Sequence, residues 1–200
     1  MRESLISSLK SHQADFGLSL SCPAVERLAG YYELVMEHND LLHLVAPCTA
    51  DEFVTRHILE SLTLLEHLPN HAQFADVGSG AGLPSIPCLL VREDLRAMLI
   101  ESKEKKARFL EMAIEKLGLI DRTKIENRQF SEVDPAGCEY ITCRALDRFA
   151  EKLPSMLRWA KRRKLLLFGG DNLREALTRS HVNFTERLMP LSEKRNLFVA

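Results

Sequence analysis

One segment, Phe74-Ala-Asp-Val-Gly-Ser-Gly-Ala-Gly-Leu-Pro-Ser-Ile-Pro87, limits this chain to few folds. Phe74, Ala75 and Val77 read as a short apolar strand. Gly78, Gly80 and Gly82 supply a turn whose backbone can take positive φ and lie close against a ligand. Pro84 and Pro87 suit the first turn of a helix, where a missing N–H forfeits no bond. A helix opening there directs its free N–H groups and the positive end of its dipole at whatever fills the turn.

The glycine spacing selects among ligands. The dinucleotide fingerprint needs glycine at position 83, where Leu83 stands. The Gly-Lys-Ser/Thr ending of a P-loop is absent. What remains, Asp76-x-Gly-x-Gly-x-Gly82, resembles the first motif of methyltransferases that use S-adenosylmethionine. In that reading Gly78 to Gly82 lie against the amino-acid end of the cofactor, and Asp76 orients its charged groups. The bland alternative is a turn with packing duties only, and the flanking strand and helix weigh against it.

From residue 73 onward, strand and helix patterns alternate, which predicts an α/β doubly wound sheet. Strands are expected at 73–77, 96–101, 123–128, 139–143 and 164–168. Helices are expected at 84–92, 104–117 and 148–161, with Gly118 closing the second and Pro154 bending or splitting the third. Asp171 caps a short helix to about Arg179, and strands at 182–189 and 195–200 follow as a hairpin. The first seventy residues read as helices. Ser4 to Phe16 ends at Gly17. Ser21, with Pro23 just inside, opens a helix to about Leu42 whose stripe holds Leu28, Tyr31, Leu34, Val35 and His38. Thr49-Ala-Asp-Glu52 matches a capping box and opens a third, with Val54, Ile58, Leu62 and Leu65 as its apolar face. We expect residues 1–70 to be a helical addition packed on a core of residues 71–200.

Composition narrows the function classes. Two hundred residues with 46% hydrophobic content suit one globular unit. No apolar run approaches the ~20 residues of a membrane span, and the N-terminus lacks a signal-peptide core. Five cysteines without a C-x-x-C pair read as reduced thiols of a cytoplasmic protein. Seven histidines without metal-ligand spacing argue against a metal site. Net charge is −1, yet residues 151–200 carry 11 Lys/Arg and 5 Asp/Glu, a net of +6. The first 150 carry 16 and 23, a net of −7. That asymmetry permits a local polyanion surface.

Ligands of open α/β sheets bind beyond the carboxyl ends of the strands, and this rule ranks the candidates. Glu101 ends the second strand, where an acid can accept both ribose hydroxyls of an adenosyl group. Gln129 and Phe130 end the third, the edge of an adenine pocket or ordinary loop residues. Arg144 ends the fourth, facing a cofactor carboxylate or a phosphate, or else paired with Asp147 or Asp76. Lys103, Lys105, Lys106 and Arg108 open a helix near the same edge. Cations there oppose the dipole, so local stability does not explain them, and we expect them to bind RNA. Lys161-Arg-Arg-Lys164 suits its helix end and reads as structural. Arg56 and Glu60 stand at i,i+4 in the less favourable order, beside His57 and Ser61. No Ser-His-Asp or Cys-His nucleophile pattern and no Asn-Pro-Pro-Tyr element is present.

Taken together, these residues resemble the bacterial small-subunit (16S) ribosomal RNA guanine-N7 methyltransferase family, also called glucose-inhibited division protein B. The likeness rests on Arg56-His-Ile-Leu-Glu-Ser61, Asp76 to Pro84 with Ile86-Pro87, Lys105-Lys-Ala-Arg-Phe-Leu110, Cys143-Arg-Ala145 and Arg195-Asn-Leu-Phe-Val199. The resemblance implies a Rossmann-like S-adenosylmethionine fold with N-terminal helices. It implies methylation of a guanine in the 530 loop of 16S rRNA, by a monomer acting on the RNA or the small subunit. By motif position Gly78, Leu83, Gln129, Phe130 and Arg144 would line the cofactor site, and Arg56 and His57 would face the site or the RNA. The chain departs from the family at Gln129-Phe130 (usually Ala-Glu), at His43-Leu-Val45 (Asn-Leu-Thr) and at Gly169-Gly170 (lysine-glycine). Guanine N7 carries a lone pair and no proton, which fits the missing general base. The rival readings are a methyltransferase for another substrate and a ribosome-assembly protein that holds the cofactor without turnover. A nicotinamide-dependent dehydrogenase is more distant, because Leu83 breaks its fingerprint.

Overall fold

One sheet holds seven strands in this computed structural model, which describes residues 2–144 and 149–200. They are β1 (Gln73–Val77), β2 (Arg96–Ile100), β3 (Thr123–Glu126), β4 (Tyr140–Arg144), β5 (Lys164–Gly169), β6 (Thr185–Leu188) and β7 (Asn196–Val199). Their order is β3-β2-β1-β4-β5-β7-β6. The first five pair in parallel, and β7 runs antiparallel to β5 and β6. The strand order reverses between β1 and β4, which opens a crevice at their carboxyl ends.

The apolar strand runs follow from burial on both faces. In β1 and β2 only the first residue is exposed. Phe74, Ala97 and Leu99 join the core on one face, and Ala75, Val77, Met98 and Ile100 the core on the other. The connecting helices are α5 (Ser85–Val91), α6 (Glu104–Lys116), α7 (Phe149–Ala160) and α8 (Asp171–Arg179). Leu153, Met156, Leu173 and Leu177 of α7 and α8 cover the second face. The first face is covered by α5 and α6 together with the N-terminal helices, in one apolar cluster that runs from Leu5 through Leu28, Ile58 and Ile86 to Leu197.

Local signals explain most helix ends. Helix α1 (Arg2–His12) passes into a 3-10 turn, Gln13–Phe16, that Gly17 stops at φ 68°. Helix α2 (Cys22–Leu42) starts at Ser21, whose Oγ accepts from Ala24 N–H at 3.3 Å. Gly118, at φ 67°, follows the end of α6. Both halves of the Thr49–Glu52 capping box are made.

Other expectations need correction. The third helix is not regular: α3 (Ala50–Glu52) leads into a π-helical stretch, Phe53–Leu59, then α4 (Glu60–Leu62) and a 3-10 turn, Thr63–Glu66. The wider π turn removes the Arg56–Glu60 pair. Arg56 instead meets Glu52 at 3.3 Å, in the favourable acid-first order, and Glu60 is carried inside. Pro84 caps α5 rather than entering it, after a cis Leu83–Pro84 bond. Helix α7 runs unsplit across Pro154, because the bond forfeited is the one to Ala150, near the start of the described helix. Strand β6 is four exposed residues, shorter than expected, since an outer strand has one pairing neighbour. Among the described residues no helix is long and apolar enough to cross a membrane.

Candidate active site

A cleft of about 570 Å³ opens at the carboxyl ends of β1, β2 and β4, within the size range of small-molecule sites. Its floor is the glycine turn. Gly78 N–H donates to the Ile100 carbonyl at 2.8 Å, which ties the turn to β2. Gly78, Gly80 and Gly82 all have positive φ, from 56° to 89°. At Gly82 a Cβ would lie 2.3 Å from Ile86 Cδ1, so only glycine lets the turn close onto α5. Tyr31 of α2 supports the turn from behind, its buried hydroxyl donating to the Ala81 carbonyl at 3.0 Å.

Glu101 forms the next wall. It is 6% exposed, and its two oxygens accept from Gly80 N–H (3.0 Å) and Lys103 N–H (2.8 Å). The carboxylate thereby links the turn to the start of α6, and each oxygen keeps a lone pair for a ligand hydroxyl. Asp76 lies beneath the turn, fully buried and outside the cleft lining. Ser85 Oγ donates to its Oδ2 at 2.7 Å, while Oδ1 has no partner among the described residues. Burial pushes the Asp76 carboxyl up to about 7 against the pull of the Ser85 hydrogen bond.

Arg144 lines the cleft from the end of β4. Val77 and Cys143 are register partners, so Arg144 emerges beside Gly78. The charge partner expected from sequence was a ligand, Asp147 or Asp76. Asp147 lies outside the described residues, and Asp76 bonds Ser85. The observed partner is Glu60, whose Oε2 accepts from Arg144 Nη2 at 3.2 Å. The same Nη2 donates to the Arg56 carbonyl and lies 3.5 Å from His57 Nδ1. The guanidinium sits over the Phe168 ring, 5.4 Å from its centroid, and Nη1 is buried without a partner among the described residues. Arg195 Nε reaches Glu60 Oε1 at 2.6 Å. Glu60 is 1% exposed: burial pushes its carboxyl up, and the two guanidiniums pull it back. His57 lines the cleft with its ring edge-on to Phe53. Burial and the Arg144 charge push His57 down to about 3, so it is neutral at pH 7.

The remaining candidates divide. Leu83, Gln129, Lys103 and Lys106 line the cleft with Gly78 and Gly80. Phe130 does not: it is 8% exposed and packs edge-on against Trp159 in the second core. Arg56 faces outward and gives the site its carbonyl rather than its charge. Lys105 joins Lys103, Lys106, Leu41 and Leu42 around an adjoining groove of about 370 Å³. Lys106 Nζ spans to the His43 carbonyl at 3.1 Å. Arg108 pairs with Glu104 on the surface. In the other basic cluster, Arg163 donates to the Cys138 and Pro135 carbonyls, a structural duty. Val45, one of the departures from the family, lines the cleft with Leu44, Ala46 and Lys152, and no sequence rule marked these as cleft residues, because only folding brings them to the sheet edge. Glu60 and Arg195 were passed over too, although both stand inside matched motifs. Among the described residues, no group of three His, Cys, Asp or Glu could hold a metal ion.

Comparison with known proteins agrees with this geometry. The model of the family described as rRNA small subunit methyltransferase G matches residues 24–195. The protein named ribosomal RNA small subunit methyltransferase G from Halorhodospira halophila is 34% identical over 170 residues, 84% of this chain and 80% of that one. A namesake from Neisseria meningitidis is 33% identical, covering 72% and 69%. Among solved structures, an S-adenosylmethionine-dependent methyltransferase from Aquifex aeolicus aligns with TM-score 0.58 at 13% identity, over 74% of this chain and 92% of that one. An RNA methyltransferase from Salinibacter ruber, in complex with S-adenosylhomocysteine, aligns with TM-score 0.55 at 16% identity, over 70% and 87%. At those identities the structural likeness speaks for the fold, and the sequence relatives carry the rest: this chain belongs to the rRNA small subunit methyltransferase G family, within the S-adenosylmethionine-dependent methyltransferase fold.

Proposed function

We propose that the protein methylates N7 of a guanine in the 530 loop of 16S rRNA, using S-adenosylmethionine, in the cytoplasm. The observation that carries this reading is a glycine-floored cleft with a cationic rim and, among the described residues, no imidazole fit to act as a general base. Lys103, Lys106 and Lys152 border the cleft and suit phosphates of the RNA. His57 is the imidazole in the cleft, and a group whose conjugate acid lies at about 3 is a poor base at pH 7.

The residues present fit the cofactor. The turn lies open to the cleft, with Gly78 and Gly80 in its lining, and Arg144 Nη1 is a buried donor without a partner among the described residues. Gly78, Gly80 and Leu83 would hold the amino-acid end, with Arg144 facing its carboxylate. Glu101 would accept the ribose hydroxyls, and Gln129 would meet the adenine edge. When bound, the cofactor supplies a methyl group on a positively charged sulfur. The protein's own task is to hold N7 in line and to tolerate the ring cation that results. Neutral His57 adds no repulsion there, and Glu60 offsets the charge of Arg144.

Borohydride and aniline cleave RNA at N7-methylguanine. Primer extension on 16S rRNA from cells carrying the gene should stop at one guanine in the 530 loop. The stop should vanish in a deletion strain and return with the parent gene. It should not return with Gly78→Arg, whose side chain would fill the turn. A stop that persists without the gene would end this assignment.

A further inference from the structure

We propose that Glu60 is a positioning residue of this site: braced by Arg195, it fixes the Arg144 guanidinium for the carboxylate of the cofactor's amino-acid end. The inference rests on the cofactor reading above and deepens it, since it gives a residue of the N-terminal helices the task of holding Arg144.

Folding alone gives no reason for this carboxylate. A buried ion pair loses so much solvation that well-packed apolar side chains usually serve stability as well or better. Yet Glu60 is 1% exposed, and both its oxygens are used, Oε2 by Arg144 and Oε1 by Arg195. The two arginines come from the end of β4 and from just before β7, 84 and 135 residues away in sequence. The arrangement constrains Arg144 closely. Its Nη2 is held by Glu60 and the Arg56 carbonyl, and Phe168 underlies the guanidinium. That leaves Nη1, buried and without a partner among the described residues, on a side chain that lines the cleft beside Gly78. An orphaned guanidinium nitrogen in such a place calls for an acceptor. The charges agree: two arginines and one glutamate leave one net positive charge, which one ligand carboxylate neutralises.

The test compares two unreactive probes by calorimetry. S-adenosylhomocysteine carries the amino-acid end, and methylthioadenosine has the adenosyl group without it. Glu60→Gln offers a single acceptor oxygen, so one guanidinium must face an amide NH2. It should weaken S-adenosylhomocysteine about tenfold and leave methylthioadenosine within about twofold of the parent. Glu60→Asp, which keeps two charged oxygens, should restore most of the difference. Equal weakening of both probes would show a merely structural role. Tighter binding of S-adenosylhomocysteine by Glu60→Gln would show that Glu60 competes with the ligand for Arg144. Either result overturns the proposal. Should Glu60→Gln fail to fold, Arg195→Gln removes the brace from a half-exposed position and should give the same selective loss, smaller in size. Loss of both probes alike in that variant counts against the proposal in the same way. A parent that binds neither probe would instead remove the cofactor reading, and this inference with it.

Discussion

The two walls of the cleft are built on different principles. The sheet-side wall, Gly78 to Leu83 with Glu101, comes from adjacent strand ends and holds itself by short-range bonds such as Glu101 to Gly80 and Lys103. The opposite wall, Leu44 to Ala46 with His57, comes from the N-terminal helices and is joined to the sheet through Glu60, buried behind it, by side chains far apart in sequence. One wall is a local motif that any such sheet can carry. The other is a property of the whole chain, and the buried Glu60 behind it is the charge that most needs its partners.

The comparison breaks hardest at Gly82. Gly82→Ala places a Cβ against Ile86 in a left-handed conformation, at a cost of about 3 kcal/mol. Urea unfolding should show that loss, and S-adenosylhomocysteine binding should be abolished. An alanine variant with parental affinity would mean that the turn does not form the floor.

The walls should also respond oppositely to pH. His57 sits at about 3 in the folded chain and near 6.5 when unfolded. Below pH 6.5 the unfolded chain takes up the proton first, so stability present above 6.5 declines toward pH 3, by on the order of 5 kcal/mol at that limit. Asp76 is raised to about 7 from an ordinary carboxylate value. Its contribution is complete below about pH 4 and is lost as pH rises through 7. Unfolding midpoints from pH 4 to 8.5 should therefore lose their acid limb in His57→Gln and their alkaline limb in Asp76→Asn. Unchanged limbs would remove these groups from the balance. At saturating cofactor the chemical step should stay flat from about pH 6.5 to 8.5, because N7 sheds no proton. Rapid-quench rates that climb steeply over that range would require a base.

Glu101→Ala deletes the anchor of the sheet-side wall and one ligand contact. Affinity for S-adenosylhomocysteine should fall by roughly 1.5–3 kcal/mol, read by calorimetry. Equal affinity would take Glu101 out of the site. The smallest effects belong to the rim. Lys105→Ala should weaken RNA binding and reduce its salt slope by about one unit. Arg108→Ala should do less, since Arg108 already pairs with Glu104. Arg162→Ala should also do less, because the rim lies elsewhere. If Arg162→Ala proves the more damaging, the RNA crosses a different face.

Much of the site was legible because it is local. A strand, a glycine turn and a helix start within fourteen residues, and Gly82 must be glycine for reasons confined to that turn. The helix caps at Ser21 and Thr49 were equally readable, since a cap involves residues three apart. The alternation of strand and helix was enough to order a doubly wound sheet with a closing hairpin. Side-chain destinations were less accessible. Phe130 stands at a strand end, where a base-stacking ring is plausible, but Trp159 of α7 takes it into the core.

Sequence determined the elements of this protein, because periodicity, caps and turn chemistry act over a few residues. It also determined the sheet edge at which the cleft opens, because parallel strands deliver their carboxyl ends together. Tertiary structure decided what each charge there faces. Glu60 looked like a surface partner of Arg56, and a π-helical stretch turned it inward to Arg144 and Arg195. His57 became a neutral ring because folding buried it beside a guanidinium. Burial and pairing of charges depend on which distant segments share a volume, and local sequence rules carry no account of that.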